Sequence, residues 1–130
     1  ADASRARKPG PFQLEAAIQS AHACRAVTGR TDWEAIALLY EGLLRYAPTI
    51  GAQVGHAAAL AEARGAEAGL AALDAIPAEA VGTYQPYWAL RAHLLKWLGR
   101  AEQAEQAYAR AIALSEDAAV REFLLGQASQ

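Results

Sequence analysis

The 130-residue sequence contains no methionine, a single cysteine and two phenylalanines, and its valines, isoleucines and threonines number thirteen against 35 alanines. Each shortage removes a class of answer. A lone Cys24 cannot close an intrachain disulfide, so the chain is not a disulfide scaffold. Few β-branched residues argue against a sheet, and abundant alanine lowers the cost of helix, so the expected class is all-α. No stretch has a signal-peptide layout or the roughly 18 uninterrupted apolar residues that a membrane span needs, which points to the cytoplasm and away from membranes. Charge of one sign is missing as well: Lys and Arg number 12 against 14 acids, for a net charge of −2. Such a scatter makes no field to hold a phosphate backbone, and no direct contact with nucleic acid is expected. The absent initiator fits a piece excised from a longer chain; Ala1 exposed by removal of a Met is the other reading.

Catalytic and metal-binding patterns are also missing. His22, His56 and His93 fall in three different helical stretches, and no second cysteine lies near Cys24. Nothing has metal-ligand spacing. His22 and Cys24 are the closest nucleophile and base in sequence, but residues two apart on a helix point in different directions, so Cys24 reads as a buried, inert residue. Gly51 and Gly55 sit in an alanine-rich helical pattern without a lysine and make no phosphate loop. The expectation is a protein without catalytic residues, metal or cofactor.

What the sequence does hold is helical punctuation. Residues 1–9, with Arg5, Arg7 and Lys8 among small residues, end at Pro9-Gly10-Pro11 and read as a linker or a severed helix end; residues 10–130 read as one domain. Leu14, Ile18, Ala21 and Val27 give one apolar face to a first helix, which Thr28-Gly29-Arg30 stops. This helix should pack integrally against the second, since those side chains have no other place to be buried. Thr31-Asp32 offers an N-cap to that second helix, in which Trp33, Ile36, Leu39, Tyr40, Leu43 and Leu44 recur before Ala47-Pro48. A third helix spans about Ala52 to Ala63 and is closed by Arg64-Gly65. A fourth runs from Ala66 to Ile76, after which Pro77 ends regular helix and a loop continues through Gly82-Thr83. Val120, Phe123 and Leu124 predict a short terminal helix.

The most legible stretch is Tyr84–Ser115. Trp88, Leu95 and Leu98 keep helical spacing up to Gly99, and Ala104, Ala107, Tyr108 and Ala111 restart it, which predicts an αα-hairpin with small residues at the helix crossing. This spacing resembles a tetratricopeptide repeat. Trp88, Ala92, Ala104, Tyr108 and Ala111 fit the motif, whereas Leu95 replaces its Tyr, Arg91 its Leu and Glu116 its closing Pro. Gly65 and Gly99 stand 34 positions apart, the period of that repeat. The implied fold is a tetratricopeptide-like right-handed superhelix of about three helical hairpins, residues 17–50, 51–84 and 85–118, with a C-terminal capping helix at 119–127.

Such repeats present a groove lined by the first helix of each unit. The inward-facing positions carried through the 34-residue frame select Arg25 and Thr28 in the first unit. In the second they select Ala52, Gly55, Ala59 and Glu62, and in the third Ala89, His93 and Lys96. The small residues would let a peptide or helix lie close to the backbone, with Arg25, His93 and Lys96 facing an acidic protein partner. Two departures from the motif point into one interface: Asp74 stands where a large aromatic is expected and Arg91 where a buried Leu is expected. The spacing predicts a largely buried Asp74–Arg91 ion pair joining the second and third units, with Glu105 as the fallback partner; the alternative is that Arg91 buries only its stem and extends its head to the groove. Removing one member of such a pair costs about 3–5 kcal/mol.

The stretch Pro9-Gly-Pro-Phe-Gln-Leu-Glu-Ala-Ala-Ile-Gln-Ser-Ala-His-Ala23 resembles the C-terminal extension of a group of extracytoplasmic-function sigma factors of bacterial RNA polymerase. The resemblance continues through Thr31-Asp-Trp-Glu-Ala-Ile-Ala-Leu-Leu-Tyr40, Leu44-Arg-Tyr-Ala-Pro48, Gly69-Leu-Ala-Ala-Leu-Asp74, Tyr84, Arg91-Ala-His-Leu-Leu95 and Leu98-Gly-Arg100. Where that family shows Asn-Arg in the third helix, this chain has Gly55-His56, and where it shows Asp after the Arg-Ala pair, this chain has His93. The resemblance implies a regulatory or assembly module of a transcription factor, contacting the sigma-factor core, RNA polymerase or a regulator, without the promoter-recognition helices. A free-standing tetratricopeptide adaptor of the cytoplasm is the alternative.

Overall fold

The computed structural model describes residues 10–23 and 31–129. The protein is all-helical over these residues. Its elements are α1 (Pro11–Ala23), α2 (Trp33–Tyr46), α3 (Ile50–Arg64), α4 (Ala66–Asp74), the one-turn α5 (Ala78–Val81), α6 (Gln85–Trp97), α7 (Ala101–Leu114) and α8 (Ala118–Ala128). Expectations for residues 1–9 and for Cys24, Arg25 and Thr28 fall outside the described residues.

Local chemistry sets the ends. The Asp32 carboxylate accepts from the N–H of Ala35, and the Thr49 hydroxyl accepts from that of Ala52, each satisfying an orphan donor of a first turn. The second cap explains why α3 starts at Ile50, earlier than its apolar pattern predicts. Gly65 and Gly99 both have positive φ, 103° and 78°. At Gly99 the backbone turns left-handed while the Arg100 N–H reaches the Leu95 carbonyl at 2.9 Å, closing the Schellman bond that joins α6 to α7. Pro77 does not abolish helix downstream as expected. It occupies the N-cap of α5, where a missing N–H costs nothing, and a single turn follows it. Helix α4 ends at Asp74, short of the expected Ile76.

Each helix packs on its neighbour in sequence: α1 on α2, α3 on α4, α6 on α7. α3 joins the first pair through α2, α6 joins the second through α3 and α4, and α8 lies on α7. The interior forms two clusters that share α3. Leu14, Ile18, Ile36 and Leu43 meet Ala52, Ala59 and Leu60 on one side of it. On another side Val54, Ala57 and Ala61 meet Leu70, Leu73, Leu94, Leu95 and Tyr108. Leu14 and Ile18 are buried, so α1 is part of the body, as the sequence predicts. The crossing of α3 with α4 depends on Gly69, where a Cβ would stand 2.6 Å from Ala61 Cβ and 2.9 Å from the Ala57 carbonyl oxygen. In α8 Leu124 alone of the three expected anchors is buried; Val120 and Phe123 are exposed.

Candidate functional site

Among the described residues a cleft of about 500 Å³ lies between α1 and the beginning of α3. Glu15, Ala16 and Gln19 form one wall, and Ala47, Thr49, Gly51 and Ala52 the other. Ile18, Tyr40 and Leu43 make the floor. Helical spacing puts Glu15, Ile18 and Gln19 on one side of α1, and the cap at Thr49 brings the first turn of α3 to face them. Tyr40 can extend into this space because Gly55 has no side chain: a Cβ there would lie 2.7 Å from the Tyr40 ring. Burial raises the Tyr40 pKa, so the phenol stays a neutral hydrogen-bond donor across the physiological range. The cleft thus has an apolar floor, a phenol, an amide and one carboxylate. With the Thr49 hydroxyl, that set offers hydrogen-bonding groups around an apolar surface. Among the described residues no group of three or more His, Cys, Asp or Glu could hold a metal ion.

The residues selected from sequence are distributed differently from the expectation. Ala52 and Ala59 are buried in the first core cluster; Ala52 also borders the α1–α3 cleft, and Ala59 does not. Gly55 is covered by Tyr40, so its smallness serves an internal contact. Glu62 is exposed, Ala89 packs against the second cluster, and His93 is exposed beside Trp97 at 6.1 Å between ring centroids. Lys96 is not available to an acidic partner as expected: its Nζ donates to the Gln127 carbonyl at 2.6 Å, a cation placed on the C-terminal end of α8. Its engagement depends on where α8 docks, which local spacing does not reveal. Of the cleft's polar groups, Glu15, Gln19, Tyr40 and Thr49 were not selected, although the 3.6 period places Glu15 and Gln19 beside Ile18.

Asp74 and Arg91 are brought together. Arg91 Nη1 donates to Asp74 Oδ1 at 2.7 Å, linking α4 to α6. The expectation of a largely buried pair is corrected, because the Asp74 side chain is 60% exposed and that of Arg91 25%. Asp74 is the last residue of α4, so its carboxylate reaches the rim of the interface and keeps much of its water.

Between α2 and α3 lies a second polar grouping that sequence spacing did not disclose. Arg64 binds Glu34 at 2.5 Å, lowering the Glu34 pKa through that hydrogen bond and raising its own. Farther along the same seam, Glu41 Oε2 and His56 Nε2 are buried without hydrogen-bond partners. Burial is the main cause of a lowered His56 pKa; the Glu41 charge opposes it and the Arg64 charge adds to it. Among the described residues no helix is long and apolar enough to cross a membrane.

Part of an uncharacterized protein of Rhizobium meliloti (strain 1021) is 41% identical to this sequence over 122 residues, covering 94% of the chain and 29% of that protein. The chain therefore spans less than a third of the length of this curated relative. No protein-family model matches the chain, and no solved structure matches it.

Proposed function

We propose that the chain is a non-catalytic, cytoplasmic protein-interaction module with a tetratricopeptide-like right-handed superhelix, acting as the regulatory extension of an extracytoplasmic-function sigma factor. The observation that carries the fold part is the recurrence of left-handed glycines at Gly65 and Gly99, 34 positions apart, each at the turn of a packed helical pair. The close crossings are made by small residues, Gly69 against Ala61 in one hairpin and buried Ala104, Ala107 and Ala111 in the next. The sigma-factor part rests on the sequence blocks from Pro9 to Arg100. The match to less than a third of a longer protein suits a module that works beside other domains.

The module binds protein through the α1–α3 cleft, whose apolar floor and polar rim suit an inserted side chain of the sigma-factor core, of RNA polymerase or of a regulator. The test is deletion of residues 10–130 from the full-length protein, followed by promoter-dependent transcription in a reconstituted system. Altered output with unchanged polymerase core activity is expected. Identical transcription with and without the module would sink the regulatory reading.

A further inference from the structure

Three acids at junctions between helices each hold an arginine: Glu34 of α2 holds Arg64 of α3, Glu67 of α4 holds Arg100 ahead of α7, and Asp74 of α4 holds Arg91 of α6. Glu15 stands at such a junction too, exposed on the α1 wall of the cleft. No cation of the described residues forms an ion pair with it. The next two helices carry one arginine each, in their last turns: Arg64 is taken by Glu34, and Arg45 is exposed and pairs with no described acid. The elements that follow α1 in the chain thus leave the charge of Glu15 unmatched.

The backbone adds no net charge at this place. α2 ends at Tyr46 and α3 begins at Ile50, so a negative and a positive helix end, each about half an elementary charge, lie side by side and largely cancel. The charge of the cleft is therefore that of Glu15. Beside it Gln19 offers an amide oxygen and Thr49 a hydroxyl, and the neutral Tyr40 phenol lies with Ile18 and Leu43 on the floor. A methylene stem can cover such a floor while its charged head meets the carboxylate. Arginine suits the set better than lysine, because its planar fork of five N–H donors reaches a carboxylate and an amide oxygen together and its flat face stacks on an aromatic ring. This polarity is the reverse of the acidic partner expected from the sequence.

We propose that the cleft selects an arginine side chain of the partner protein and that Glu15 is the residue that sets this choice. The inference deepens the reading that the cleft binds protein and rests on it.

The experiment uses the labelled 130-residue chain and three blocked glycyl-X-glycine peptides, X being arginine, norleucine or glutamate. Amide shifts centred on Glu15, Gln19, Thr49 and Gly51 are expected with the arginine peptide, at an affinity on the order of fivefold above that of norleucine and falling with added salt. Glu15 is exposed, so changing it leaves the fold intact. Glu15→Gln should erase the preference for arginine, and Glu15→Arg should shift it to the glutamate peptide. The chain brings its own Arg5, Arg7 and Lys8, so a response of the cleft to added peptide also shows that these do not fill it. Equal binding of arginine and norleucine in the cleft would overturn the choice of arginine while leaving the cleft a protein-binding site. An arginine preference that survives Glu15→Gln would overturn the role of Glu15. Shifts outside the cleft, or none, would overturn the proposal as a whole, and the transcription test would still decide the regulatory reading.

Discussion

The two core clusters, joined by α3, solve the same packing problem with different residues. Around α4, α6 and α7 the helices approach on glycine and alanine, and Leu73, Leu94, Leu95 and Tyr108 fill what remains. Around α1 and α2 Leu14, Ile18, Ile36 and Leu43 pack with Ala37, Ala52 and Ala59, and a cleft stays open between α1 and the beginning of α3. Small residues at a crossing draw backbones together and leave little space; branched aliphatics hold them apart. The cleft lies in this seam, so the candidate site and the wider spacing of α1 from α3 are one feature of the fold.

The sharpest way to break this comparison is to make equivalent truncations in the two clusters. Leu94 is almost wholly buried in the cluster around α4, α6 and α7, so its truncation leaves a void there, and Leu94→Ala should cost about 3–5 kcal/mol. Ile18 borders the cleft, so part of its environment is already open, and Ile18→Ala should cost about 2 kcal/mol. Denaturant midpoints at fixed slope provide the check. Equal losses would mean that the two seams are packed alike.

A pH titration probes the seam between α2 and α3. The folded-state pKa of His56 lies below its unfolded value, so the neutral ring is favoured by the fold. Its contribution is present above the unfolded pKa of about 6.5 and is lost as pH falls through the lower, folded value. The parent should therefore lose more stability than His56→Gln between pH 7 and pH 5. Parallel curves would show that His56 does not feel its burial.

The smallest effect is expected at Asp74. With more than half of its side chain in water, removing it strands no buried charge, and Asp74→Ala should cost less than about 1 kcal/mol, diminishing further in salt. A loss near the 3–5 kcal/mol of a truly buried pair would show that this interface is drier than the geometry indicates.

These cases show where sequence reasoning reaches and where it stops. Gly65, Gly99 and Asp32 announce helix ends because the conformations and caps they supply are local. The meeting of Asp74 with Arg91 was legible since two charges at apolar repeat positions needed each other. Its exposure was not, because that depends on α4 stopping at Asp74. The Glu34–Arg64 and Glu67–Arg100 pairs join residues 30 and 33 positions apart, and polar residues on solvent faces leave no pattern in hydrophobic periodicity. The cleft was hidden for a related reason. Gly55 reads as groove floor on a helical wheel, and its true neighbour, Tyr40, comes from another helix.

The connection between α4 and α6 shows another side of this architecture. Val81 is buried, its carbonyl accepts from Trp88 Nε1 at 3.0 Å, and the next carbonyl, of Gly82, accepts from Arg110 Nη2 at 2.7 Å. The same Arg110 guanidinium lies 5.6 Å from the centre of the Trp88 ring. The strap is thus fastened by side chains of the hairpin that comes after it in the chain. While a polypeptide emerges in order, residues 75–84 gain the Trp88 anchor first and the Arg110 anchor only when α7 has been synthesised, so the strap is fully fastened later than α4, which precedes it.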